Sequence, residues 1–201
     1  MIFKILTPMV LCCAAANASS VIEFDFDSDA LGTSTTFTDT EDGLSATFSS
    51  SADPGGFVVF PTMFETLTGN VLGDPGPASA SNIALDVSFS QKLSAITLDF
   101  ATADFVTPSP FTITAYENST LVGSNTSTGE FLPGFTFPEG EITFEGGNFN
   151  NIVLSTPAPF FAVDNIQVLP ATAPEPGTLT MFAAGLFLAG VGARRRRSLR
   201  D

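Results

Sequence analysis

The sequence predicts an all-β fold, an antiparallel β-sandwich of jelly-roll type, on three observations. Apolar and polar residues alternate with a period of two in short stretches such as IALDVSFS (83–90) and AITLDF (95–100). Turn segments rich in Gly and Pro, such as DPGG and GDPGPAS, separate such stretches at intervals typical of a sandwich. One domain of about nine to eleven strands, without a sizeable helix, is therefore expected in residues 19–170.

The 21 phenylalanines are interpreted as the filling of the core. A sandwich interior is about 10 Å thick and needs large side chains from both sheets. A carbohydrate-binding platform is the alternative interpretation. Such platforms usually use Trp and Tyr, whereas this sequence has no Trp and a single Tyr, Tyr116.

The charge is distributed very unevenly along the chain. The whole sequence has a net charge of -14, but residues 19–173 contain 19 acidic residues and one basic residue, Lys92, for a net charge of -18. Such a region repels phosphate backbones and attracts cations. Binding of nucleic acid by the folded region is therefore excluded, and a divalent metal is the better expectation.

Residue types that commonly carry catalysis are missing. The sequence has no His, and both cysteines, Cys12 and Cys13, lie near the N-terminus. Without them the mature domain can form neither a Ser-His-Asp nor a Cys-His site. Two carboxylates are sufficient for glycoside hydrolysis, but nothing in the pattern selects a pair. We therefore expect that the protein is not an enzyme.

One acidic residue stands out in the closing segment FFAVDNIQV (160–168). If Ile166 and Val168 face inward, the alternation also turns Asp164 inward and leaves Asn165 and Gln167 facing water. A carboxylate at an inward position is costly unless a cation or several hydrogen-bond donors meet it.

The opening segment VIEFDFDSD (21–29) alternates acidic residues with Phe. It loosely resembles extracellular jelly-roll domains similar to carbohydrate-binding modules, and that resemblance implies a structural Ca²⁺ between the first and last strands. Calcium takes oxygen ligands only. We expect Asp25 and Asp164, with Glu23, to hold the ion. In the alternative interpretation Asp164 accepts hydrogen bonds from the N–H groups of a turn, and the N-terminal acids form a solvated face.

The N-terminus has the form of a secretory signal peptide. Lys4 precedes an apolar run over residues 5–16, and Ala16 and Ala18 form a small-x-small pattern. Cleavage is expected between Ala18 and Ser19, which makes residues 1–18 the signal peptide and the protein an exported one.

The C-terminus predicts a short membrane anchor. Residues 178–193 carry no charge and would span roughly 24 Å as a helix, less than a hydrocarbon core of about 30 Å. Four consecutive arginines follow: Arg194, Arg195, Arg196 and Arg197. The positive-inside rule places these arginines in the cytoplasm, so the acidic domain lies on the other side of the membrane.

The segment PEPGTLTMFAAGLFLAGVGARRRR (174–197) resembles the PEP-CTERM sorting signal of exported proteins of Gram-negative bacteria. The resemblance implies recognition of Pro174, Glu175, Pro176 and Gly177 by an exosortase, a membrane processing enzyme. It also implies transient anchoring in the inner membrane and delivery to the cell surface or extracellular matrix. The same C-terminal segment occurs on some proteins described as ice-binding. Residues 171–201 are therefore interpreted as the sorting signal.

Two functions are consistent with these features. The first is a non-catalytic surface or matrix protein, associated with exopolysaccharide. The second is an extracellular carbohydrate-binding or ice-binding module. An ice-binding face would need a regular array of Thr, and no sustained ladder is visible along the sequence.

Overall fold

The computed structural model describes residues 20–51, 56–74 and 84–171. All secondary-structure elements in these ranges are β-strands. The strands are β1 (Ile22–Phe24), β2 (Phe37–Glu41), β3 (Leu44–Ser49), β4 (Val58–Pro61), β5 (Asn70–Gly73), β6 (Ala84–Thr102), β7 (Pro110–Glu117), β8 (Thr120–Thr128), β9 (Glu130–Phe131), β10 (Pro138–Ser155) and β11 (Phe161–Pro170). Their number agrees with the prediction.

The eleven strands form one connected antiparallel sheet. Its main path runs β4-β5-β11-β6-β10-β7-β8, while β3 pairs with β6 and β2, β1 pairs with β11, and β9 pairs with β10. Each of these pairings is antiparallel. The predicted all-β antiparallel class is confirmed.

The two longest strands, β6 and β10, divide this sheet into two layers. The first part of β6 pairs with β3 and with the end of β10, and its second part pairs with β11 and with the start of β10. The pairing of β6 with β10 changes register between Glu145 and Asn151. We call β2, β3, β7, β8 and the adjoining parts of β6 and β10 layer I. The strands β1, β4, β5, β9, β11 and the remaining parts of β6 and β10 form layer II.

Aromatic contacts show that the two layers pack against each other. Phe100 of β6 stacks on Phe111 of β7 with ring centroids 4.4 Å apart, although β6 and β7 are not paired through their backbones. Phe111 also meets Phe161 of β11 at 5.2 Å. The interpretation of Phe as core is confirmed for eight rings that are less than 2 % exposed: Phe24, Phe26, Phe48, Phe57, Phe100, Phe111, Phe149 and Phe161.

Residues Ser19–Ala171 form one compact unit, close to the predicted domain of residues 19–170. Within the described ranges no helix is long and apolar enough to cross a membrane. The predicted signal peptide and the predicted transmembrane helix both lie outside those ranges, as does nearly all of the sorting signal.

Candidate functional site

A loop covers part of the outer face of layer II. Residues 62–69 connect β4 to β5, and Leu67 of this loop packs with Val71, Ala101 and Ala162 in a small apolar cluster separate from the main core. Ala101 and Ala162 are direct partners in the pairing of β6 with β11, so both face the same side of the layer. We call the part of layer II beneath this loop the covered face.

Glu139 of β10 anchors the first half of the loop. Its carboxylate accepts hydrogen bonds from the backbone N–H of Glu65, at 2.9 and 3.0 Å, and of Thr66, at 2.6 Å. The Thr66 hydroxyl donates a further bond of 2.7 Å. Glu139 is only 3 % exposed, so these donors compensate the removal of its charge from water.

Asp164 of β11 anchors the second half of the loop. It is 0 % exposed, and its Oδ2 accepts a hydrogen bond of 2.9 Å from the backbone N–H of Thr68. Its Oδ1 is buried without a hydrogen-bond partner in the described part of the chain. Burial raises the pKa of Asp164 to about 7, the N–H groups of Asn165 and Thr68 oppose that rise, and the charges of Asp27 and Asp25 add to it. The predicted burial of Asp164 is confirmed.

Asp164 lies on the outer face of layer II and not on the inward side that simple alternation predicted. Asp164 is the direct partner of Asp99, which alternates with the core residues Leu98 and Phe100 and therefore faces outward. Ile166 nevertheless lies in the main core. The register shifts between Asp164 and Gln167, and Asn165 has a φ of 49°. This β-bulge reverses the alternation, so Asp164 is buried by the loop and not by the core.

Asp27, which follows β1, makes a third anchor. Its Oδ1 accepts a hydrogen bond of 2.7 Å from the backbone N–H of Asn70. It also fills the space beside Gly69, where a Cβ atom would lie 1.7 Å from the same oxygen. Gly69 also has a φ of 62°, a backbone conformation that favours glycine. Both this conformation and the short distance to the Asp27 carboxylate therefore require glycine at position 69.

The three residues predicted to bind calcium have different surroundings. Asp25 and Asp164 are close enough for the charge of Asp25 to raise the pKa of Asp164. Glu23 accepts a hydrogen bond of 3.2 Å from the side chain of Gln167, and Asp25 accepts one of 3.1 Å from the N–H of Asp27. No group of three or more His, Cys, Asp or Glu side chains in the described ranges is arranged to hold a metal ion. The hydrogen bond from Thr68 corresponds to the alternative interpretation of Asp164 as a turn acceptor.

Asp29 is a further carboxylate in this region whose pKa is raised. Burial raises its pKa, and the charges of Asp39, Asp25 and Glu41 raise it further. Its Oδ2 is buried without a hydrogen-bond partner within the described residues. The carboxyl of Asp29 is therefore surrounded by like charges.

An apolar cleft of about 220 Å³ opens beside the loop on the same face. Its floor is formed by small residues, including Ala101, Ala103 and Ala162. Its walls carry larger apolar side chains: Phe60, Met63, Phe64, Phe137 and Phe160. The sequence did not single out this cleft, because its walls come from segments far apart in the chain.

The outer face of layer I has a different chemistry. One row of direct partners crosses five strands and consists of Thr38, Thr47, Ser88, Asn151 and Tyr116. A further row on this face contains Ser155, Thr112 and Thr126, and the row between the two contains Asp86, Val153 and Thr114. Hydroxyls bond across strands, for example Thr38 to Thr47 at 2.8 Å and Thr112 to Thr126 at 3.1 Å. We call this surface the hydroxyl face. The array runs across the strands, which is why reading along the sequence did not reveal it.

The remaining predicted functional residues lie outside the described ranges. These are the processing residues Ala16, Ala18 and Ser19, the motif Pro174, Glu175, Pro176 and Gly177, and the cluster Arg194, Arg195, Arg196 and Arg197.

Comparisons with known proteins support the fold and the C-terminal signal. Residues 172–197 match the PEP-CTERM protein-sorting motif, so the predicted signal is confirmed. No curated protein sequence matches the chain.

The fold is similar to the K2 cleaved adhesin domain of Lys-gingipain, with a TM-score of 0.50 and 12 % identity over 77 % of this chain and 99 % of that domain. The K1 cleaved adhesin domain of Lys-gingipain from Porphyromonas gingivalis W83 gives a TM-score of 0.47 and 8 % identity, covering 76 % and 99 % of the two chains. A family 6 carbohydrate-binding module gives a TM-score of 0.39 and 13 % identity, over 77 % of this chain and 95 % of that module.

Proposed function

We propose that this chain is an exported, non-catalytic protein of the cell surface or extracellular matrix, sorted through its C-terminal PEP-CTERM signal by an exosortase. The observation that carries this proposal is the sorting motif at residues 172–197, which begins two residues after β11 ends at Pro170. The domain that precedes the motif is a jelly-roll-like sandwich with a net charge of -18 over residues 19–173. A domain of this charge stays soluble outside the cell and does not adhere to anionic lipid.

The ends of the domain are consistent with attachment at one end. Ile22 pairs with Val168, so the chain enters the domain beside the end of β11, where Ala171 follows. The cleft is lined by Phe161 and Ala162 at the opposite end of β11, roughly 30 Å away at about 3.3 Å per residue. Attachment through residues 172–201 would therefore be made at the end of β11 that is remote from the cleft.

The test is fractionation of cells that express the full chain. We expect the wild-type protein at the surface or in the medium, shortened at both ends. Replacement of Pro174, Glu175 and Pro176 by Ala, or deletion of the exosortase gene from the host, should retain a longer form in the membrane fraction. Pro133→Ala, in an exposed loop of the domain, is the matched control and should be processed normally. A full-length wild-type protein that is soluble inside the cell would refute the proposal.

The hydroxyl face favours a second function, binding of an uncharged extracellular polysaccharide. Its rows of Ser, Thr and Asn offer both donors and acceptors, as a polymer rich in hydroxyls requires. The row that crosses five strands contains one aromatic residue, Tyr116, so hydrogen bonding and not stacking would dominate the interaction.

This second function is tested by co-sedimentation with insoluble polysaccharides and by glycan arrays. Thr38→Val, Thr47→Val and Thr126→Val together remove three hydroxyls while keeping the side-chain shapes, and they should abolish retention. Thr136→Val, in the loop before β10, is the control and should leave retention unchanged. Inhibition of ice recrystallisation without retention on any glycan would instead assign the face to ice, and the absence of both activities would contradict either assignment.

We further propose that the carboxylates around Asp164 hold a structural Ca²⁺. Asp164 Oδ1 and Asp29 Oδ2 are buried oxygens without partners in the described ranges, and Asp25 raises the pKa of both carboxyls. Asp25 and Asp164 are the proposed ligands, with Glu23 as a third, and binding would require these side chains to move toward one another, since no three acidic side chains are grouped for a metal ion in the described ranges. Bound Ca²⁺ would supply positive charge to a region where carboxylates face one another.

Titration of the metal-free protein with CaCl₂ tests this proposal. We expect a rise in melting temperature that Asp164→Asn reduces strongly and that MgCl₂ at the same concentration does not reproduce. Glu130→Gln, a substitution on short strand β9, is the control. The absence of any heat of binding and of any change in melting temperature would refute the calcium site.

A further inference from the structure

The cleft beside residues 62–69 leaves aromatic rings at the surface. Phe137 lies at the centre of a cluster, with ring centroids 5.8 Å from Phe64, 5.6 Å from Phe105 and 6.2 Å from Phe160. Phe105 is 67 % exposed, and Met63 on the wall is 61 % exposed. Contiguous exposed apolar surface of this kind marks a binding site more often than it serves stability.

Both flanking loops are held by their own hydrogen bonds. Residues 62–69 are anchored by Glu139 and Asp164, as described above. On the other side, Asp104 accepts bonds from the hydroxyl of Thr102, at 2.8 Å, and from the N–H and hydroxyl of Ser109, both at 2.8 Å. The walls are therefore formed before a ligand arrives, which reduces the entropic cost of binding.

The lining offers a ligand little hydrogen bonding. Among the described residues, the polar side chains that line the cleft are Asp74 and Thr102, and the Thr102 hydroxyl already donates to Asp104. A sugar needs several polar partners to replace its water, whereas an alkyl or aryl group needs none. The small volume of about 220 Å³ admits one such group and not a whole large ligand.

Charge then distinguishes between apolar ligands. Asp74 is part of the lining, Glu65 is adjacent to the wall residue Phe64, and Asp104 is adjacent to Phe105. The one basic residue in residues 19–173, Lys92, bonds to Glu117. Lys92 accepts the N–H of Ala171 through its carbonyl, so it lies at the end of β11 remote from the cleft. A fatty acid or an anionic lipid would be repelled at the cleft, and a cation would be attracted.

We propose that this cleft binds the apolar chain of a cationic amphiphile. The alkyl or aryl group occupies the floor of alanines between the Phe walls, and the positive charge remains at the rim near Glu65 and Asp104. This site is independent of the hydroxyl face and of the sorting signal, so it extends beyond the function proposed above.

The experiment uses the full chain with ¹³C-labelled methionine methyl groups, in nanodiscs of zwitterionic phosphatidylcholine. Met63 lines the cleft, and its methyl signal is assigned by Met63→Leu. Octyltrimethylammonium is titrated below its micellar concentration, with octyl sulfate as the anionic counterpart. We expect a saturable shift of the Met63 signal with the cation and at least about tenfold weaker binding of the anion.

Two cleft variants and one rim variant locate the site. Phe137→Ala, which removes the central ring, and Ala162→Leu, which fills the floor, should each weaken binding at least about tenfold. Glu65→Gln, at an exposed position, should weaken the cation several-fold and leave the fold intact. Leu121→Ala, an exposed apolar position on β8, is the control and should change nothing.

The proposal is overturned if the Met63 signal does not respond to the cation, or if octyl sulfate binds as tightly. It is also overturned if Glu65→Gln and the folded cleft variants bind like the wild type.

Discussion

The outer faces of the two layers differ in what lies above them. The hydroxyl face of layer I is open, and its polar side chains bond to one another across the strands. The covered face of layer II has a loop above it, and its carboxylates bond to the backbone N–H groups of that loop. The same alternating sequence pattern produces both faces. The difference shows that a carboxylate on an outward position becomes buried when a distant loop is held over it.

The largest expected difference between the faces is in the response to pH. Burial raises the pKa of Asp164 to about 7, against 3.8 for an unperturbed Asp. The folded state then binds more protons than the unfolded state between these values, so the contribution of this group to stability is full below about pH 4 and is lost as the pH rises to 7. The loss is about 4 kcal/mol at most.

Asp164→Asn tests this because its amide oxygen can still accept the Thr68 N–H but carries no charge. With EDTA present, urea unfolding at pH 4.5 should give similar stabilities for variant and wild type, and at pH 8 the variant should be the more stable. The neighbouring carboxyls Asp25, Asp27 and Asp99 are present in both proteins, so the difference between the two curves isolates Asp164. A constant difference across this pH range would contradict the raised pKa.

Loss of the Glu139 carboxylate is the next largest expected effect. Glu139→Ala leaves the N–H groups of Glu65 and Thr66 without their acceptor beneath the loop, and we expect a loss of about 3 kcal/mol in the free energy of unfolding. Glu141→Ala is the matched control, since Glu141 lies two residues further along the same face and is exposed. It should cost less than about 0.5 kcal/mol by chemical denaturation. Equal costs for the two variants would mean that the loop does not depend on Glu139.

Gly69 and Gly43 permit a comparison of a covered turn with an open one. Both have positive φ, 62° and 80°, but a Cβ at Gly69 would overlap Asp27, whereas a Cβ at Gly43 would meet nothing within 4 Å. Gly43→Ala should therefore cost about 1 kcal/mol from backbone strain alone. Gly69→Ala should cost about 2 kcal/mol more, because Asp27 must move away from the Asn70 N–H. Thermal unfolding of both variants measures this difference, and similar melting temperatures would show that Asp27 is not a required anchor.

The sequence was sufficient to predict the class of fold but not to predict the covered face. Period-two alternation in residues 83–90 and 95–100 depends on neighbouring residues, so the β-structure of both stretches and their buried Phe rings were predicted correctly, although the two stretches form one long strand, β6. The burial of Asp164 was predicted for the wrong face, because alternation carries no sign of the bulge at Asn165. Glu139 was not predicted as an anchor, since its partners Glu65 and Thr66 are 74 and 73 residues away. Contacts over such separations follow from the topology and not from local pattern.

The smallest expected effect belongs to the open face and tests whether its hydroxyl pairs matter for stability. Thr38 and Thr47 are direct partners with hydroxyls 2.8 Å apart at a site reached by solvent. A double-mutant cycle with Thr38→Val and Thr47→Val should give a coupling of about 0.5 kcal/mol, because water can replace either hydroxyl. A coupling of about 3 kcal/mol, similar to the loss expected for Glu139→Ala, would mean that the hydroxyl face is held as firmly as the covered one. Its hydroxyls would then bond strongly to one another and be less available to a ligand. A small coupling therefore also supports the proposed role of this face in binding.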